Sequence, residues 1–170
     1  MTKVTVDLSK VRAATQSIKS QLNQREVLSK AAEIAIDDIR GNAREGKPVV
    51  DNKVSSFPGL DATYITRRNR LASVNETDSA YSPKRSNLTF TGQLLNSLKA
   101  TFKGAVITIS PTGMRRPYKL IKGGQTKSVA NKTIAEGLQE RGFEFLSIGS
   151  STKKKIKSEI TRIIRRLLRS

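Results

Sequence analysis

Apolar residues keep helical time most clearly at the end of the chain. After Thr152, the residues Ile156, Ile160, Ile163, Ile164, Leu167 and Leu168 fall at offsets 0, 4, 7, 8, 11 and 12. That spacing puts one apolar stripe on a 3.6-residue helix and leaves the rest of its surface polar. A second run, Leu28, Ala31, Ala32, Ala35 and Ile39, predicts another helix face. Val11, Ala14, Ile18 and Leu22 predict one before it, with Asp7 or Ser9 as its cap. The polar patch at 20–26 leaves open one long helix or two. Helix stops by 41–48, because Pro48 disfavours helix at the residue before it. The alanines predict close packing in a core.

Residues 47–87 lose the rhythm. Pro48, Pro58 and Pro83, many Ser, Asn and Asp, and the basic cluster Arg67, Arg68 and Arg70 break any long period. Only Tyr64–Thr66 reads as strand. So long a stretch with so little regular structure predicts a functional arm that orders on assembly.

Organisation returns at residue 88. Leu94, Leu95 and Leu98 give a short apolar face after Thr91, a reasonable N-cap. Ala105-Val-Ile-Thr-Ile-Ser110 alternates, is β-branched, and ends at the turn Pro111-Thr-Gly113, which predicts a strand. Arg116–Ile121 is expected as its hairpin partner. Ser128 is expected to cap a helix over 129–141, with Ile134 and Leu138 inward and Gly142 in the C′ position. Residues 143–148 read as a short strand or an extended link to the last helix. The predicted class is α+β: a small antiparallel sheet packed by helices, a long irregular arm, and a C-terminal basic amphipathic helix. At 170 residues one domain is expected. It comprises a helical part at 1–46, the arm at 47–87 and the α+β core at 88–170.

Charge changes the picture. Net charge is +18, but residues 1–80 carry a balance of only +3 and residues 81–170 one of +15. In the last nineteen residues eight of nine charges are positive: Lys153, Lys154, Lys155, Lys157, Arg162, Arg165, Arg166 and Arg169, with Glu159 the lone acid. Three of these lysines stand in the first helical turn, where the dipole is already positive, a cost of a few tenths of a kcal/mol each. Stability alone does not ask for that, so the eight cations are the candidate contact for an anionic partner.

Chemistry is sparse. Cys and His are both absent, which removes thiol chemistry, the commonest general base and the commonest metal ligand. Gly123-Gly-Gln-Thr-Lys-Ser128 lacks the glycine that a phosphate loop has before its lysine. Glu136 and Glu140 share a helix face but have no third ligand, so a solvated face is the better reading. No catalytic, cofactor or metal residue is assigned, and no enzyme is expected. No helix-turn-helix, RNP-type aromatic or zinc module is present, and Tyr64, Tyr81, Phe102 and Tyr118 read as too scattered for a stacking platform. The final helix lacks the Trp or Phe that seats a helix in a membrane interface. The N-terminus does not read as a signal peptide, so a soluble, cytosolic chain is expected.

The order of these elements resembles a family of bacteriophage tail completion, neck or head–tail joining proteins. The phrase Leu88-Thr-Phe-Thr-Gly-Gln-Leu-Leu-Asn-Ser-Leu98 is similar to that family's Thr-Gly-x-Leu-x-x-Ser segment, here Thr91, Gly92, Leu94 and Ser97. The strand at 105–110, the helix-Gly-aromatic run at 134–146 and the terminal amphipathic helix follow in the family's order. The resemblance extends over 88–168 and, less closely, over 1–45. It implies a structural virion protein, made in the host cytoplasm and built into the neck. It implies a homo-oligomeric ring of roughly six or twelve copies between portal-side and tail-tube-side proteins. Arg67, Arg68 and Arg70 would lie on an assembly arm, and the basic helix would meet protein or the genomic DNA in the channel. The alternative is a sequence-nonspecific nucleic-acid-binding protein of the nucleoid or ribosome.

Overall fold

Alternation at 106–111 becomes the centre of a sheet. The computed structural model describes residues 4–7, 24–50 and 52–167. The predicted helix over 11–22 and the cation Arg169 lie outside them. Strand β5 (Val106–Pro111) is flanked by β1 (Val4–Asp7) and β4 (Leu98–Lys103), in the order β1-β5-β4. Both pairings are antiparallel, with Val4 opposite Ile109 and Lys103 opposite Val106. Along β5 inward and outward residues alternate, and Ile107 and Ile109 are fully buried. Gly104, at φ +59°, takes the first turn position between β4 and β5, where a two-residue hairpin favours glycine.

The hairpin partner of β5 is therefore upstream, not Arg116–Ile121 as expected. Pro117 offers no backbone N–H, and residues 116–121 keep only a bridge from Lys119 to Gln125. Among the described residues, two pairs of two-residue strands complete the β structure: β2 (Val49–Val50) with β3 (Lys53–Val54), and β6 (Met114–Arg115) with β7 (Val129–Ala130).

Helix α1 (Gln24–Glu45) carries the long core face. Val27, Leu28, Ala31, Ala32, Ala35, Ile39 and Ala43 are all buried, at helical spacing. It ends where Gly46 turns left-handed at φ +71°. The Gly46 N–H donates to Ala43 O at 3.2 Å and the Lys47 N–H to Asn42 O at 2.9 Å, which satisfies two terminal carbonyls.

The segment 47–87 is mostly irregular, yet it lies against the body. Phe57 is buried on Phe143, with ring centroids 5.3 Å apart. The Asn87 side chain donates to the carbonyls of Arg44 and Ala80. Tyr64–Thr66, read as strand, falls inside helix α2 (Ala62–Ala72). Asp61 Oδ1 starts that helix by accepting from the N–H groups of Thr63 (2.8 Å) and Tyr64 (3.2 Å); a good cap outweighs weak β propensity.

Helix α3 (Gln93–Asn96) is one turn, begun by Gly92 at φ +65° rather than by Thr91. The left-handed backbone decides this, and a Cβ at Gly92 would lie 2.3 Å from Asp78 Oδ2. Helix α4 (Asn131–Gln139) follows Ala130, while the Ser128 hydroxyl donates to Arg115 O and caps nothing. Its end is as expected: Gly142 at φ +81° donates to Gln139 O, and the Phe143 N–H to Leu138 O. Residues 143–148 form an irregular link without strand pairing, bent at Leu146. Helix α5 (Ser150–Leu167) then buries Thr152, Ile156, Ile160 and Ile163, chiefly against α1. The class is α+β.

Two glycines on α1 separate helix propensity from backbone strain. Gly41 lies inside the helix with nothing within 4 Å of an added Cβ, whereas at Gly46 that Cβ would sit 2.5 Å from Ser86 O. Gly41→Ala is expected to raise stability by about 0.5–1 kcal/mol, and Gly46→Ala to lower it by roughly 1–3 kcal/mol. Urea unfolding midpoints of the two variants check both signs.

Candidate functional site

Helix α5 divides its surface cleanly. Its apolar stripe is spent on α1, and the exposed charged side chains are all cations, with Ser150, Ser151 and Ser158 exposed among them. Lys153, Lys154, Lys155, Lys157, Arg162, Arg165 and Arg166 are all exposed. Lys154, Lys157, Arg162, Arg165 and Arg166, with Ser158 and Thr161, line one shallow groove along the helix. From residue 154 to 165 the strip runs roughly 16 Å at 1.5 Å per residue.

Not all seven cations are equally available. Arg162 grips Glu159 with two hydrogen bonds of 2.9 and 2.6 Å, and Arg166 reaches Glu26 on α1. Lys153 donates to Asn52 Oδ1 at 3.0 Å. Lys154, Lys155, Lys157 and Arg165 have neither ion pair nor hydrogen-bonded side-chain partner among the described residues. The lone acid of the helix thus works inward. The hydrogen bond from Arg162 holds the Glu159 carboxyl below the usual carboxylate range, with the positive charges of Lys30 and Arg166 adding to it. Arg162 is raised by the same contact.

The cluster on α2 is not a set of three equivalent arginines. Arg67 and Arg70 are exposed and flank a shallow depression beside Ile121. Arg68 points the other way and is 3% exposed. Its guanidinium lies over Tyr81 at 5.1 Å and Tyr64 at 5.9 Å, and Nη1 donates to Arg85 O at 3.1 Å. Arg68 is therefore not available to a partner on the outer face of an arm. Its neighbour four residues back, Tyr64, gives it an aromatic face to lie on.

The tyrosines that read as scattered converge around Arg68. Tyr81 meets Phe90 edge to face at 5.8 Å, Phe90 meets Tyr118 at 5.7 Å, and Arg115 lies over Tyr118 at 4.9 Å. A ladder of three rings thus carries a guanidinium at each end. Burial raises the Tyr81 phenol, which Arg68 partly offsets. Only Phe102 stays apart, exposed on β4. Pairing across such sequence distances leaves no local signal except the Tyr64–Arg68 spacing.

Among the described residues no three metal-ligating side chains converge, and no helix is long and apolar enough to cross a membrane. No protein-family model, curated protein or solved structure matches the chain.

The Glu159–Arg162 contact makes a pH statement. A carboxyl lowered on folding stabilises the fold fully above its unfolded value, about 4.3, and loses that contribution as pH falls through its folded value. Glu159→Gln is expected to be less stable than the parent at pH 6, with a narrower gap at about pH 3. Urea midpoints at both pH values read it directly.

Proposed function

We propose that this chain is a structural virion protein of a tailed phage, forming a ring that joins or completes the tail at the head–tail interface. The observation that carries the reading is α5 itself. Its stripe is consumed inside the chain, while four of its cations are left without acids among the described residues, which suits an anionic neighbour rather than a fold-stabilising role. The resemblance at 88–98 adds to this, since that phrase forms the glycine turn, the α3 turn and the start of β4.

Ring contacts have a ready means in the sheet. Among the described residues β4 pairs on one side only, and it carries exposed Lys99, Thr101, Phe102 and Lys103. Edge lysines discourage indiscriminate strand pairing while permitting addition by a partner that supplies acids. Arg67 and Arg70 on α2 offer a second, smaller basic contact. The portal-side or tail-tube-side neighbour, or channel DNA, supplies the negative charge for α5.

Charge reversal tests the assignment best at residues that hold nothing else. Arg162 and Arg166 tie down Glu159 and Glu26, so Lys154→Glu, Lys157→Glu and Arg165→Glu are the cleaner triple. This variant should unfold within about 0.5 kcal/mol of the parent and yet fail to complete particles in a complementation assay, leaving unjoined heads and tails. Full infectivity with the triple change rules the assignment out. The same strip of cations favours a second reading, sequence-blind nucleic-acid binding. In that case the free protein binds duplex DNA with log affinity falling against log salt by about 0.9 per phosphate contacted, and the triple variant flattens that slope.

A further inference from the structure

Away from α5, two arginines face one cavity that no acid among the described residues lines. The cavity holds about 200 Å³ and is lined by Tyr64, Arg68, Leu94, Arg115, Tyr118 and Phe143 among others. Arg68 is buried to 3% exposure, and among the described residues its Nε and Nη2 have no hydrogen-bond partner; the buried Nε of Arg115 has none either. Neither guanidinium forms an ion pair among the described residues. An arginine cannot shed its proton to escape burial, so an uncompensated guanidinium here is costly. The tyrosine faces and the Arg85 carbonyl, which accepts from Arg68 Nη1, offset part of that cost and leave Nε and Nη2 of Arg68 and Nε of Arg115 unanswered.

What answers them is an anion with paired acceptors. A carboxylate matches the fork of a guanidinium with two parallel bonds. The remaining walls are mostly leucine, isoleucine and phenylalanine side chains, with Thr91, Gly92 and Asn87 among them; the Asn87 amide is already bonded to Arg44, Ala80 and Thr89, so the lining suits an apolar body. Size fits as well, because an apolar cavity of about 150 Å³ takes one benzene. Tyr64, 50% exposed, gives the cavity a solvent-facing edge. We propose that the space between α2, the 88–94 turn and α4 is a binding site for a small organic carboxylate with a single aromatic or branched aliphatic body, held by Arg68 and Arg115. It stands independently of the ring reading, since none of its residues belongs to α5.

Benzoate is the probe, with benzamide as its uncharged isostere and inorganic phosphate as a carboxylate-free anion. Titration of the full chain, followed by ¹H–¹⁵N spectra, should show saturable benzoate shifts confined to residues around Phe90, Tyr118 and Leu138. Benzamide and phosphate should each bind at least about tenfold more weakly. Arg115→Gln should weaken benzoate by a similar factor while the unliganded spectrum stays folded. Three results overturn the proposal: no saturation by about 10 mM benzoate, equal binding of benzamide or phosphate, or shifts confined to α5. The comparison of probes on the unaltered protein decides the matter even where the Arg115 variant fails to fold.

Discussion

Helix α1 is packed on two sides, and its small side chains make that possible. Ala31, Ala32, Ala35 and Ala43 are almost wholly buried, so neighbouring backbones come close. β4 and β5 pack on it, and so does α5. Its C-terminal arginines extend its reach. Arg40 Nε donates to Leu95 O at 3.0 Å, and Arg44 pairs with the buried carboxylate of Asp78 at 3.1 Å. The carbonyl of Arg44 accepts from Asn87. One helix thus fixes the sheet, the α3 turn, the irregular segment and the basic helix in a common frame.

The electrostatics follow from that frame. Acids near α5 are used as fasteners: Glu159 holds Arg162 and Glu26 holds Arg166, while Lys30 on α1 pairs with Glu33. What remains unpaired on α5 among the described residues is the strip Lys154, Lys157 and Arg165, with Lys155 beside it. A surface meant only for solubility would mix the two signs. The ladder of aromatic rings handles its charges differently, covering guanidinium groups with π faces instead of carboxylates. The molecule therefore holds two kinds of unmatched positive charge, one displayed to solvent and one enclosed.

Local periodicity carried the sequence reading where an element's own residues determine it. The face 28–39, the alternation around Ile107 and Ile109, the glycine stop at Gly142 and the stripe of α5 were all legible. Elements that exist only by pairing were not. β1 is four residues long and needs β5 to be a strand, so four residues at 4–7 predict no strand on their own. The choice between 98–103 and 116–121 as partner of β5 turned on a hairpin glycine and on Pro117. Helix α2 depended on the Asp61 cap, which overrode the β-branched residues after it. Arg68 looked like its neighbours Arg67 and Arg70 because charge count says nothing about direction. Tyr81, Phe90 and Tyr118 meet only in the fold, and no spacing rule joins them.

The central functional claim is that this chain is a counted component of an assembled particle. Quantitative mass spectrometry of gradient-purified tailed particles, from cells that make the chain, tests it most directly. A ring at the neck predicts a fixed low copy number, since one closed ring per particle fixes the count, and the resemblance puts that number at roughly six or twelve. Absence from the particles, with the chain recovered instead on cellular DNA or ribosomes, would contradict it.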